Sequence, residues 1–153
     1  MASSRIQVRD EAGNDSVMVP EEWCKVVVCP GVDCTKPGIY RWEIEMAGVY
    51  IGKYSNISRP TQEYRRNVVR ILNNQRSHHA NGLFRRVHHA LAKAVKDGSQ
   101  ITLTILANAK GIEQNCLERS FIRSENANLN GRDDFKYTSE TAVEVATVLA
   151  RVT

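Results

Sequence analysis

The stretch that decides the fold is Gly38-Ile39-Tyr40-Arg41-Trp42-Glu43-Ile44-Glu45-Met46, followed by Ala47-Gly48 and then Val49-Tyr50-Ile51-Gly52-Lys53. Tyr40, Trp42, Ile44 and Met46 share one parity, while Arg41, Glu43 and Glu45 share the other. Successive side chains of a strand point to opposite faces, so this alternation predicts a strand with one apolar face. Ala47-Gly48 supplies a turn, and Val49–Lys53 returns as the second strand of a hairpin.

Downstream of the hairpin, Pro60 stands near a helix start, where its missing N–H costs nothing. Tyr64, Val68, Ile71 and Leu72 follow at helical spacing. Asn73 to Gly82 reads as a polar loop. Leu83, Val87, Leu91 and Val95 step by four and predict a second helix that runs to about Lys96 and stops at Asp97-Gly98. Ile101–Leu106 is β-branched and alternating, a third strand. Ile112–Ile122 predicts a third helix, and Thr138–Val152, with Val145, Val148, Leu149 and Val152, a final one. Upstream, residues 1 to about 20 read as a loose arm or marginal strand, and Trp23–Cys29 as a candidate edge strand. The expected fold is therefore α/β of the α+β type, a small central antiparallel sheet of three strands flanked by helices. The expected organisation is an arm over 1–36, a central domain over 37–131 and a C-terminal helix over 132–153 packed on the same domain.

The chain has 153 residues, 42% hydrophobic and 25% charged, which suits one globular domain and excludes a fibrous or wholly disordered chain. A chain of this length buries enough surface to fold without a disulfide or structural metal. The longest apolar runs are a few residues, far short of the ~20 a membrane span needs. Met1-Ala2-Ser3-Ser4-Arg5 lacks an apolar h-region. The expectation is a cytoplasmic protein with no membrane contact, nucleoid-associated if bacterial. Cys24, Cys29 and Cys34 follow a C-x4-C-x4-C spacing, looser than zinc motifs use, so free thiols are the favoured reading and a zinc site with a histidine stays open.

Net charge is +4, but it is concentrated. Lys53 to Lys96 holds ten basic residues against the single acid Glu63, a charge of +9 that leaves −5 for the rest. Such a block in a folded domain points to a phosphate-rich partner; the alternative is a solvated face on two helices. The candidate nucleic-acid contacts are Lys53, Arg65, Arg66, Arg70, His79, Arg85 and Arg86. Arg65 and Arg66, like Arg85 and Arg86, lie about 100° apart on a helix, so one of each pair should be silent. His88 and His89 read as surface or satisfied histidines. No HExxH, Ser-His-Asp or P-loop pattern is present.

Gly38-Ile39-Tyr40 and, ten residues later, Tyr50-Ile51-Gly52 on two predicted strands of one hairpin resemble the GIY-YIG nuclease family. Further residues match in order: Arg59 nine after Tyr50, Glu118 with Phe121-Ile122 behind it on the third helix, and Asn130 in Leu129-Asn130-Gly131. The resemblance covers about residues 37 to 131. It departs from the family at one point, since the His or Tyr that often stands four residues after the helical Arg is Glu63 here, with Tyr64 one later. The resemblance implies a divalent-metal-dependent endonuclease hydrolysing DNA phosphodiester bonds. Glu118 is then the ligand for Mg²⁺ or Mn²⁺, Arg59 the phosphate clamp, and Tyr40 the general base or water-orienting group, supported by Tyr50. Either Tyr64 fills the neighbouring role from a shifted register or that role is absent, and Asn130 pins the loop after the helix. A non-catalytic nucleic-acid-binding module with the same fold is the alternative. The expectation for specificity is that it is low or needs a homodimer or a separate partner.

Overall fold

The computed structural model describes residues 6–9, 15–78 and 82–131. The hairpin is present as β4 (Gly38–Ile44) and β5 (Gly48–Tyr54), paired antiparallel with Tyr40 opposite Gly52 and Trp42 opposite Tyr50. It belongs to a larger α+β sheet than the sequence suggests. With β3 (Lys25–Val28) and β6 (Ile101–Asn108) the order is β3-β6-β4-β5. The expected three-stranded antiparallel sheet is thus corrected to four strands of mixed direction, because β3 runs parallel to β6 while β4 runs antiparallel to both β6 and β5. The candidate strand at Trp23–Cys29 is that edge. Its Val26 and Val28 remain exposed, which is why the valine run carries no two-faced alternation.

The N-terminal arm contains a separate antiparallel pair, β1 (Ile6–Arg9) with β2 (Asp15–Met18). The Asn73 side chain fastens β2 to the first helix, accepting from the Val17 N–H at 2.7 Å and donating to the Val17 carbonyl at 2.8 Å. The expected C-terminal helix over Thr138–Val152 lies outside the described residues.

Among the described residues three helices cover the sheet. A π-helical turn (Arg59–Glu63) leads into α1 (Tyr64–Leu72), and α2 (Arg86–Asp97) ends at Gly98 with φ 72°. The second helix starts later than Leu83, because Arg85 is extended and Leu83 stays exposed. The third, α3, spans Gly111–Ser124. One face of the sheet, with Tyr40, Trp42, Ile44, Tyr50 and Tyr54, packs on Val68 of α1 and on Val87, Leu91 and Val95 of α2. The other face, with Ile39 and Ile51, packs on Leu117, Phe121 and Ile122 of α3. Helices on both faces explain why β4 is buried at Ile39 as well as at Tyr40 and Trp42. The Arg41 guanidinium donates to Glu125 at 2.8 Å and ties the end of α3 to β4. Among the described residues no helix is long and apolar enough to cross a membrane.

Candidate functional site

The glycines of the two matching tripeptides are there for space. A Cβ on Gly52 would come within 2.3 Å of the Tyr40 hydroxyl, and one on Gly38 within 2.3 Å of the Ala107 carbonyl oxygen and 2.7 Å of the Tyr54 hydroxyl. Tyr40 therefore lies flat across Gly52 on the neighbouring strand, which closes the floor of a cleft of about 290 Å³. β5 contributes Tyr50 and Lys53 to its wall, the π-turn contributes Arg59, the segment before α2 contributes Arg85, α3 contributes Glu118, and the chain after α3 contributes Asn130. Five residues expected from the resemblance, Tyr40, Tyr50, Arg59, Glu118 and Asn130, are thus brought together.

Tyr64 lies behind them. Its hydroxyl meets that of Tyr40 at 2.5 Å, with the rings edge-on and centroids 5.6 Å apart. In an α-helix residues five apart point about 140° away from each other. The π-turn absorbs the extra residue, so Arg59 and Tyr64 line the same hollow despite their spacing. Tyr64 also packs against Trp42 and His88, at 5.5 and 4.8 Å between centroids.

The resemblance implies for Tyr40 the role of general base or water-orienting group, with phenolate favoured by cationic neighbours or by a hydrogen bond to Tyr50. Burial, reinforced by the neighbouring Tyr50, pushes the Tyr40 phenol well above its ordinary range, against the pull of its Tyr64 bond and of Arg59 and Arg85. Burial pushes Tyr64 up as well. Tyr40 shares its hydroxyl bond with Tyr64, whereas the Tyr50 hydroxyl accepts from Arg85 Nη1 at 3.2 Å. The Tyr50 hydroxyl thus faces Arg85.

Glu118 is the one carboxylate among the residues lining the cleft. Burial raises its pKa, while Lys53, Arg59, Arg119 and Arg85 pull it down without cancelling the rise. The Lys53 ammonium donates to Asn115, three residues before Glu118 on α3. Asn130 does pin the loop: its amide oxygen accepts from the Ile51 N–H at 2.9 Å and its amide N–H donates to the Ile51 carbonyl at 2.8 Å. Asn128 does the same two residues earlier, bonding the Val49 N–H and the Ala47 carbonyl at 2.8 Å each, with the Leu129 N–H donating to Val49 between them. Asn128-Leu129-Asn130 thereby stands in for a fifth strand along the edge of β5.

The basic residues divide. Arg65 donates to the carbonyls of Val19 and Pro20 and so holds the N-terminal arm. Arg66 is exposed, near Gln62. Arg70 bonds Asn67 and His78. Arg85 enters the cleft, while Arg86 is buried and turned away from it. Arg59 and Arg85 also line a hollow of about 150 Å³ with Glu63 and Asn67, which in turn line a trough with Arg66, Arg70 and His78. The cleft thus continues along the flank of α1. His79 lies outside the described residues.

Some site residues escaped the sequence. Arg85 read as a backbone contact, not as the partner of Tyr50. Asn128 carried a signal, its period of two with Asn130, but nothing named the strand edge it meets. Cys24, Cys29, Cys34 and Cys116 are free thiols, and burial lifts Cys24 to about 11. Among the described residues no three His, Cys, Asp or Glu side chains are gathered as a metal cluster. Comparison with family models, with curated proteins and with solved structures gave no significant match.

Proposed function

We propose that the chain is a divalent-metal-dependent endonuclease of the GIY-YIG type that hydrolyses DNA phosphodiester bonds. The observation that carries this reading is the convergence of Tyr50, Lys53, Arg59, Arg85 and Glu118 on one cleft, with Asn130 fixing its edge. Phosphodiester hydrolysis needs an aimed water, cations for the charge gathering on phosphorus, and support for the leaving oxygen.

The donor set fits Mg²⁺ or Mn²⁺. These hard ions need as little as one carboxylate, with waters and substrate phosphate completing the shell, and Glu118 supplies that carboxylate without a cage. A bound cation supplies Lewis-acid charge to the phosphoryl and leaving oxygens. Arg59 approaches from the π-turn before α1 and Arg85 from the extended segment before α2, and they offer two planar forks for the non-bridging oxygens. The Tyr50 hydroxyl, held by Arg85, orients the attacking water. The Tyr40–Tyr64 pair is a rigid base under the site. The trough along α1, with Arg66 and Arg70, carries the flanking DNA backbone, and selection of a DNA site then falls to a second copy or a separate partner.

Incubating supercoiled plasmid with the protein tests the reading. Nicking with Mg²⁺ that EDTA stops is the expected result; retarded but uncut plasmid under both conditions would instead support a non-catalytic binding module.

A further inference from the structure

We propose that Arg86 anchors a second ligand site, separate from the cleft, that takes a small monocarboxylate with an apolar body. Arg86 is only 6% exposed, yet its one hydrogen bond is long, Nη1 donating to the Asn128 carbonyl at 3.4 Å. A guanidinium keeps its charge at all physiological pH and carries five N–H donors. Burying it without a carboxylate is strongly unfavourable, and among the described residues no ion pair involves it. Arg86 is also the first residue of α2, whose first turn holds no acid, so the positive end of the helix dipole adds to the unbalanced charge.

The guanidinium borders a cavity of about 300 Å³ between α2 and the β4–β5 turn. This cavity and the cleft stand back to back. Arg86 and Leu129 face the cavity, while their chain neighbours Arg85 and Asn130 face the cleft. Beside Arg86, Ala47, Ala90, Ala94 and Leu129 supply the apolar part of the wall. The remaining charges are accounted for. Lys93 pairs with Asp97 at 2.7 Å, and Glu45 accepts from the Gln100 N–H at 2.7 Å. Burial lowers the pKa of His89, which keeps it neutral at physiological pH. Among the described residues the cavity therefore offers, at the Arg86 end, a cation without an ion pair, with the alanines and Leu129 beside it. Glu45 and Asp97 at the far end repel a polyanion, so a nucleic-acid strand is the wrong occupant and a compact monoanion the right one.

Calorimetric titration of the full chain with acetate, butyrate and hexanoate tests the site, with hexylamine as a cationic control. Saturable binding is expected for the acids, strengthening roughly fourfold for each methylene buried, with none for the amine. Arg86→Met should weaken hexanoate at least tenfold, by the loss of a charge-assisted pair. Ala90→Phe fills the cavity without touching the charge and should do the same. Glu118→Gln, on the cleft side, should bind hexanoate as the wild type does. Thermal unfolding checks that each variant folds, and Ala90→Phe decides alone if Arg86→Met does not. Absence of saturable hexanoate binding, or undiminished binding by a folded Arg86→Met or Ala90→Phe chain, overturns the proposal. The readout is heat of binding and not cleavage, so its failure leaves the reading of the cleft untouched.

Discussion

The hydroxyls of Tyr40 and Tyr64 meet at 2.5 Å across the boundary between sheet and first helix, and a single π-turn makes that meeting possible. The pair is buried, and each oxygen is the other's partner. Replacing either residue by Phe strands a buried hydroxyl and should cost about 1–3 kcal/mol. Replacing both removes the stranded group, so the double variant should lose less than the two singles combined, with a coupling of about 1–2 kcal/mol. Urea unfolding of the four proteins measures this; strictly additive losses would show that the two oxygens do not interact.

The π-turn yields a second test. Deleting Gln62, an exposed residue of that turn, should let Arg59–Glu63 close as ordinary α-helix and leave Arg59 and Tyr64 on one side at a spacing of four. The deletion variant should melt within a few degrees of the wild type. Inserting an alanine at the same place should instead swing Tyr64 out of the core and lower the melting temperature by about 5 °C or more, as expected for loss of a buried aromatic. Equal loss in both variants would mean that the turn does not serve as the adjusting element.

What the sequence made legible follows from what local periodicity can carry. The hairpin was readable because Tyr40, Trp42 and Ile44 alternate with polar residues over a full strand. The parallel pairing of β3 with β6 was not, since Val26-Val27-Val28 alternates with nothing and its partner Leu103–Ile105 stands more than seventy residues away. Nothing in Arg59-Pro60-Thr61-Gln62-Glu63 marks an i→i+5 turn, so the place of Tyr64 emerges only from the folded chain. Helical geometry separates Arg65 from Arg66, and Arg85 parts from Arg86 because it stays extended before the start of α2, but which member faces the cleft depends on how the helices dock.

That division has a measurable consequence. Arg66→Ala should lower the salt slope of DNA binding by about one, whereas Arg65→Ala should leave the slope unchanged and reduce thermal stability through its lost contacts to Val19 and Pro20. The plot of log K against log salt for the two variants separates them. A slope change for Arg65 and none for Arg66 would put the DNA on the other side of α1.

Glu118 sets a pH dependence of definite sign. Its folded-state pKa is raised by burial, so it favours the folded state where it is protonated, and that contribution is lost as pH rises through the folded pKa. Glu118→Gln should therefore be more stable than wild type at pH 7, with the gap closing as pH falls below the ordinary carboxylate range. Added Mg²⁺ should stabilise the wild type and not the variant. Unfolding free energies measured against pH, with and without Mg²⁺, check both; a variant less stable than wild type at neutral pH in the absence of metal would reverse the sign.

The central claim is that this cleft cuts DNA through Glu118 and the two arginine forks. The most direct measurement is the rate of Mg²⁺-dependent nicking of supercoiled plasmid by wild type, Glu118→Gln and Arg59→Lys, with DNA affinity measured in parallel. The account predicts cleavage by wild type, none by Glu118→Gln, and about a 10²-fold loss for Arg59→Lys, which keeps the charge but not the fork, while all three bind DNA comparably. Cleavage by Glu118→Gln at the wild-type rate would contradict it.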